Sequence, residues 1–579
     1  MFKNFKVFYK FLVKSWPVYI GFILLVIITN TLFALDPYFY KLFVEKIPNF
    51  NYSELINILI IFLVVKSVAV IVDVITGIVG DFIVIEGAKR TRVTIFKRVQ
   101  DLDFAFHASK STGSLISAFK RGDGAFWSFF HEIQYRLLNV LTNFMVMIYF
   151  LKDLNLTVVA IVILSLITTI IAAIFLIKYN ISKRKDFNED EDKISGIITD
   201  NLINFETVKL FAKEKWEENK LLNHLIPWTK KMWSYGNSFR LIDLTMGTII
   251  NVSVFSVLFV VIKDTVNGNT SIGDFVLITG FLTRFYPRLW DFLWGLRDLA
   301  KHYADIEKYF ELLDHEIEVK DPENNVVSLE KVNGEIEFKN VYHSYKEGTK
   351  NALKNFNLKI NKGESIAFVG RSGSGKTTVT KLLMRFFDPE KGTVTIDGVN
   401  IKNFTKANLR SFFGVVPQEP ILFNNTIGYN IGYGAEKENN LKEIKRVSKM
   451  ANISEFIEKL PNKYETNVGE RGIKLSGGQK QRLAIARMII SNPDIIVFDE
   501  ATSSLDSESE KLIQEAFWKY AENKTTIIIA HRLSTIQKAD RIVVMDKGEI
   551  VEIGKHQELI KNKNGIYSKL SKLQNKQLN

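Results

Sequence analysis

Apolar positions fall along this chain in two regimes. Up to about residue 312 they gather in long runs, and beyond it they come as short runs that end in glycine or polar residues. Six long apolar stretches lie near 17–35, 55–85, 133–151, 154–178, 245–263 and 272–296. Each is long enough to cross a hydrocarbon core, which takes about 20 helical residues. The second and sixth carry Asp73, Asp81, Arg284 and Asp291, side chains expected to face the interior of a helix bundle or water. Ahead of the first stretch, residues 2–14 alternate Phe, Tyr and Val with Lys3, Lys6, Lys10 and Lys14. That spacing predicts an amphipathic helix lying on an anionic leaflet.

The connections are uneven in length. Links 36–54, 152–153 and 264–271 are short, whereas 86–132 and 179–244 are long, charged and helical in pattern. Lys89, Arg90, Arg92, Lys97, Arg98, Lys120 and Arg121 sit in the first long link, and Lys183, Arg184 and Lys185 open the second. Basic links face the cytoplasm. Each reads as helix out, short turn, helix back; about 23 residues per arm would reach roughly 35 Å beyond the membrane. Residues 313–333 lose the periodicity and gain turn formers, which makes them a linker between a helical domain at 1–312 and a second domain at 334–579.

The second domain is organised around Gly370-Arg371-Ser372-Gly373-Ser374-Gly375-Lys376-Thr377, a G-x-x-x-x-G-K-T phosphate loop. An apolar run, Ile366 to Val369, precedes it, and a helical periodicity at Val379, Leu382, Leu383 and Phe386 follows. The glycines let backbone N–H groups turn around a phosphate chain, Lys376 can reach the terminal phosphates, and Thr377 can hold Mg²⁺. Two more apolar runs end in chemistry: Ile495–Phe498 at Asp499 and Glu500, and Thr526–Ala530 at His531. In a parallel sheet buried on both faces, these endings share the carboxyl edge, where ligands bind. Asp499 then suits Mg²⁺ and Glu500 suits the attacking water. His531 suits the γ-phosphate, and Gln418, after the run Phe413–Pro417, can reach both metal and water. Leu475-Ser476-Gly477-Gly478-Gln479 opens an apolar helix and is either a second anion site or a helix cap.

Length and composition narrow the picture. At 579 residues the chain exceeds one compact core. No cysteine is present, which excludes disulfides, thiolate metal sites and cysteine nucleophiles. A net charge of +13 admits nucleic acid, anionic lipid or an anionic ligand as partner; six spans argue against a soluble ATPase acting on nucleic acid. The apolar run from Trp16 is too long for a cleavable signal peptide.

Taken together these residues resemble ATP-binding cassette (ABC) transporters of the exporter type. The resemblance covers nearly the whole chain. It implies six transmembrane helices with long cytoplasmic extensions fused to an α/β P-loop NTPase domain, in the cell membrane with the ATPase in the cytoplasm, and ATP and Mg²⁺ as cofactors. It implies that Ser476, Gly477, Gly478 and Gln479 belong to the signature motif that closes on the phosphate loop of an opposite subunit. Tyr345 resembles the aromatic that stacks on adenine, Gln418 the Q-loop residue, Ser503–Asp506 the D-loop with Asp506, and Asn467–Gly472 the X-loop. Thr378 joins the phosphate-loop set, and Phe205–Phe211 resembles the second coupling helix. Intact Glu500, His531 and signature residues imply a homodimer with two competent sites.

The expected activity is ATP-driven export of a hydrophobic or amphiphilic substrate, such as a lipid or drug, by alternating access. The alternatives are an ATP-gated channel, or an exporter of peptide or of metal or thiol conjugates. Arg284, Arg288, Asp291 and Gly295 share one helical face, beside Trp290 and Trp294. That face is read either as a substrate path for an amphiphilic anion or as an Arg288–Asp291 salt bridge that only steadies packing.

Overall fold

The structure is a computed structural model that describes residues 2–47, 52–109, 112–345, 351–435, 440–499, 507–529 and 533–578. It separates into two compact units, residues 1–101 with 110–315, and residues 102–109 with 316–579.

The first unit is helical. All six apolar stretches are helical, and among the described residues four helical segments are long and apolar enough to cross a membrane: Trp16–Lys46, Tyr52–Asp101, Leu156–Leu202 and Glu214–Val266. The other two stretches fall short for visible reasons. A π-helical segment, Glu132–Leu137, separates the helices Thr112–His131 and Leu138–Leu151. The helix Ile272–Asp314 carries Arg284, Arg288 and Asp291 through its apolar part. Caps mark two of the starts. Asn155 accepts from the N–H groups of Thr157 and Val158, and Ser271 forms a reciprocal capping box with Asp274. Met147, Val158, Val162, Val257, Phe281 and Phe285 pack four of the helices into one apolar core.

Polar side chains inside this unit pair with one another. Thr29 meets Thr76 at 3.1 Å, Gln134 donates to Tyr19 at 2.7 Å, and Asn180 donates to Ser238 at 2.7 Å. Arg284 turns inward, whereas Asp73 and Asp81 are exposed. The N-terminal helix Phe2–Leu12 departs from its expectation. Its lysines are exposed, but its apolar side is buried against protein rather than left for lipid: Phe8 lies 4.7 Å from Phe126 and 4.9 Å from Phe129, and Phe5 stacks on Tyr303. Neighbouring aromatics offer that face a closer fit than acyl chains would.

The long links are helical extensions. The helix Tyr52–Asp101 runs 16 residues past position 85, and Leu156–Ile203 runs 25 past position 178, roughly 24 and 38 Å. Short helices, Phe104–Ser109 and Phe205–Leu210, cap the two turns.

The second unit holds two sheets. An antiparallel sheet has the order β2-β1-β4-β5, from Ile336–Ser344 (β1), Asn351–Ile360 (β2), Lys391–Ile396 (β4) and Val399–Asn400 (β5). The larger sheet has the order β10-β9-β3-β8-β7-β6. Its strands are Ser365–Gly370 (β3), Phe413–Val416 (β6), Ile495–Asp499 (β7), Thr525–Ile529 (β8), Arg541–Asp546 (β9) and Glu549–Gly554 (β10). The run from β9 to β6 is parallel and only β10 is antiparallel. Alternation decides which core each side chain joins: Ile366 and Phe368 face the core shared with the antiparallel sheet, while Ala367 and Val369 face the one shared with the helices.

Candidate nucleotide site

The parallel order brings the chemical strand endings into one row. Phe368 pairs with Ile529, Ile529 with Asp499, and Phe498 with Val416. The phosphate loop, Asp499 and the segment carrying Gln418 therefore leave the sheet at the same carboxyl edge. Glu500, Asp506, His531 and the D-loop lie outside the described residues.

Within the phosphate loop, Gly375 has φ +105, and a Cβ there would stand 2.7 Å from the carbonyl oxygen of Ala352. A Cβ on Gly370 would stand 2.2 Å from that of Met545. Both obstacles are backbone, so glycine alone fits. The loop feeds the helix Lys376–Leu383. Lys376 is 6% exposed, and its ammonium donates to the carbonyls of Gly370 at 2.8 Å and Arg371 at 3.1 Å. The Ser374 hydroxyl is buried and makes no hydrogen bond among the described residues. A cradle closed to any Cβ, a held ammonium and an orphaned hydroxyl fit an anionic oxygen supplied by a nucleotide. Arg371, Ser372, Gly373 and Thr377 are exposed, so the Thr377 hydroxyl is open to a cation.

Tyr345 lies beside this loop. Its hydroxyl is 3.1 Å from Thr378 Oγ1, and its ring packs edge-on against Phe387 and His343. Ser476 caps the helix Gly477–Ile490 in a capping box: its Oγ accepts from the Gln479 N–H, and Gln479 Oε1 accepts from the Ser476 N–H at 2.9 Å. Ser476 thus caps the helix, with Ser476 and Gly477 exposed and Gln479 half-buried. A Cβ on Gly478 would stand 2.7 Å from Ser509 Oγ.

Three supporting residues escaped the sequence reading. Gln481, 4% exposed, donates to the Gln418 carbonyl at 2.6 Å and tethers that segment to the signature helix. Asn430 braces the following turn through Phe423 and Thr426, and Arg487 donates to the Asn430 carbonyl and side chain. Burial pushes the Arg487 guanidinium below its ordinary range. Their only signal was a polar residue on the inner face of an apolar helix or turn. Residues 102–109 also join this unit: Asp103 accepts from the Glu318 and Val319 N–H groups, and Phe104 stacks 5.1 Å from Phe386 under the Lys381 ammonium.

The proposed substrate-path residues do not converge. Arg284 pairs with Asp36 at 3.1 Å, a carboxylate shared with Lys66, and donates to Asn143. Arg288 and Asp291 pair at 3.5 Å and line a cavity of about 340 Å³ with His131, Glu132, Tyr135, Arg136 and Asn139. Trp290 lines a different, apolar cavity with Leu258 and Tyr286. Trp294 stacks on Phe239 and under Arg297. Gly295 leaves room for Arg136, whose Cδ would lie 2.7 Å from an added Cβ. The segment Phe205–Phe211 exposes Leu210 and Phe211 beside a cavity lined by Asn201, Thr207 and Trp216.

Comparison with known proteins agrees with this arrangement. Residues 353–503 match the ABC transporter family and residues 19–287 the ABC transporter transmembrane region. The chain is 35% identical to heavy metal tolerance factor 1 of Caenorhabditis elegans, over 83% of this chain and 60% of that protein. The chain thus spans under two thirds of that relative's length. It is 32% identical to the ATM1-type heavy metal exporter of Novosphingobium aromaticivorans, over 86% of this chain and 82% of that one. A solved bacterial Atm1-family ABC exporter with ATP bound superposes with a TM-score of 0.85 at 31% identity, covering 96% of this chain and 98% of the other. The chain is therefore a multi-pass membrane protein of the ABC transporter family, of the Atm1 type, with its membrane-spanning region and ATP-binding domain fused in one polypeptide.

Proposed function

We infer that this chain works as a homodimeric, ATP-driven exporter whose six helices per copy alternate between inward-open and outward-open states. The observation that carries this reading is the shared carboxyl edge: the phosphate loop, Asp499 and the Gln418 segment leave one parallel sheet side by side. Lys376 and the loop N–H groups bind the phosphates of ATP, Tyr345 takes the adenine, and Ser476 of the second copy closes over the same nucleotide. Thr377, Gln418 and Asp499 would hold Mg²⁺, which neutralises phosphate charge when bound. Glu500 polarises the attacking water and His531 orients it. ATP favours the closed pair because its γ-phosphate makes contacts that ADP lacks. The basic links 86–132 and 179–244 support a cytoplasmic ATPase side.

On cargo, the sequence leaned toward a lipid or drug, with metal or thiol conjugates as an alternative. The relatives' names, a heavy metal tolerance factor and a heavy metal exporter, support the alternative. These 579 residues hold no cysteine, so the chain offers a soft metal no thiolate. The cargo we propose carries its own ligands, as a thiol conjugate does. The test is ATPase stimulation of the full chain in nanodiscs by a thiol–metal conjugate, the bare metal ion, an anionic phospholipid and a cationic drug. Stimulation by the conjugate alone is expected. Equal stimulation by drug and conjugate would overturn the cargo reading, and a protein that never pairs in magnesium ATP would overturn the dimer.

A further inference from the structure

β1 turns Ile336, Phe338, Val341 and His343 into the core, and His343 stands opposite Leu353 of β2. It is 5% exposed, and neither ring nitrogen has a hydrogen-bond partner among the described residues. The rest of that inward row is apolar. An apolar side chain would fill the slot without burying two orphaned polar atoms, so the imidazole breaks the local rule at a cost to stability. Its neighbours suggest why. The ring centroid lies 5.2 Å from Tyr345, edge-on, and 5.4 Å from Phe387. Tyr345 and Phe387 are themselves perpendicular at 5.4 Å. Thr378 on the hydroxyl, Phe387 and His343 at the edge and Lys381 over the face meet Tyr345 among the described residues, and His343 is the buried titratable one.

We propose that His343 is a positioning residue for nucleotide: its neutral ring steadies Tyr345 for adenine, and its protonation loosens that ring and weakens ATP binding. The inference rests on the reading of Tyr345 as the adenine platform.

Charged groups meet this site from each neighbouring segment. Glu390 accepts from the Ser344 N–H, Asp388 pairs with Arg385, and Lys381 sits 5.9 Å from the Tyr345 ring. Burial holds His343 below the ordinary histidine range, and the nearby Glu390, which favours the imidazolium, opposes it less strongly. The ring is therefore neutral at neutral pH. An adenine laid on Tyr345 adds further desolvation, so binding expels the proton from any protonated fraction. Affinity then falls with pH below the free protein's pKa, by up to about tenfold per pH unit.

The experiment measures equilibrium binding of Mg-ATP and of Mg-tripolyphosphate, which has no adenine, to the full chain in nanodiscs between about pH 8 and about pH 5.5. Wild type, H343F, H343Q and Y345A are compared. In wild type, the ATP Kd should rise on acidification beyond the rise for tripolyphosphate, toward about tenfold per pH unit once the pH is below the His343 pKa of the free protein. That excess should vanish in H343F and H343Q. No excess in wild type, or an excess that survives both substitutions, overturns the proposal. Y345A separates the two readings: if it leaves the preference for ATP over tripolyphosphate intact, the Tyr345 assignment fails. If that preference is lost while the wild-type pH excess is absent, only the His343 inference fails.

Discussion

Replacing Gln481 with leucine tests whether the signature helix holds the Gln418 segment in place. The leucine keeps most of the buried volume at a position 4% exposed. It removes a 2.6 Å hydrogen bond to the Gln418 carbonyl and a weaker one, 3.4 Å, to that of Pro417. A neutral hydrogen bond is worth about 1 kcal/mol net, and leaving a carbonyl unpaired adds about as much again. Gln481 Oε1 has no partner among the described residues, so its removal offsets part of that loss. The tether is then worth about 1.4 kcal/mol, and if it positions Gln418 for chemistry, kcat for ATP hydrolysis falls about tenfold. ATP affinity should change by less than about twofold, because no atom of the phosphate loop has moved. Steady-state ATPase assays beside equilibrium ATP binding, on purified full chain in nanodiscs, read both quantities. Unchanged kcat would refute the tether. A collapse of affinity together with kcat would show that the substitution unfolds the site instead.

Three further outcomes are expected. Lys376→Ala should abolish ATP hydrolysis and weaken ATP binding by at least about tenfold, since it removes the buried ammonium held by Gly370 and Arg371; full turnover of the purified variant would contradict the assignment. Glu500→Gln should bind ATP and stall as a stable pair, and hydrolysis at the wild-type rate would remove Glu500 from its role. Arg284→Ala removes one of the two cations paired with Asp36 among the described residues and should destabilise the helical unit by about 1–2 kcal/mol. That loss would read as a melting point lower by a few degrees, with unchanged preference among stimulating ligands. An unaltered melting point with selective loss of anionic-lipid stimulation would restore the substrate-path reading.

Much of the nucleotide site was legible in sequence because its residues sit at fixed offsets from strand ends. Gly370, Asp499 and Gln418 each follow an apolar run, and the run itself tells where the side chain emerges. Gln481 and Arg487 were not legible, because their partners are backbone carbonyls on another segment and no spacing along the chain announces them. The sixth apolar stretch misled for a related reason. Helical periodicity placed Arg284, Arg288 and Asp291 on one face, where Arg288 and Asp291 do pair with each other, but Arg284 takes its partners on other helices. Arg284 is drawn to Asp36 and Asn143, while Arg288 and Asp291 border the π-helical segment.

The amino-acid order alone determined the two-part plan, the long helical links and the phosphate loop with its flanking strand and helix. These depend on local periodicity and on backbone conformations that only glycine adopts, both written in neighbouring residues. Tertiary structure alone decided that β3, β8, β7 and β6 lie side by side in that order, that residues 102–109 pack into the ATP-binding unit, and that a histidine supports Tyr345 from within the core. The strand order and the packing of residues 102–109 join segments far apart in the chain, and such pairings are chosen by burial and steric fit among surfaces that exist only once the elements have formed.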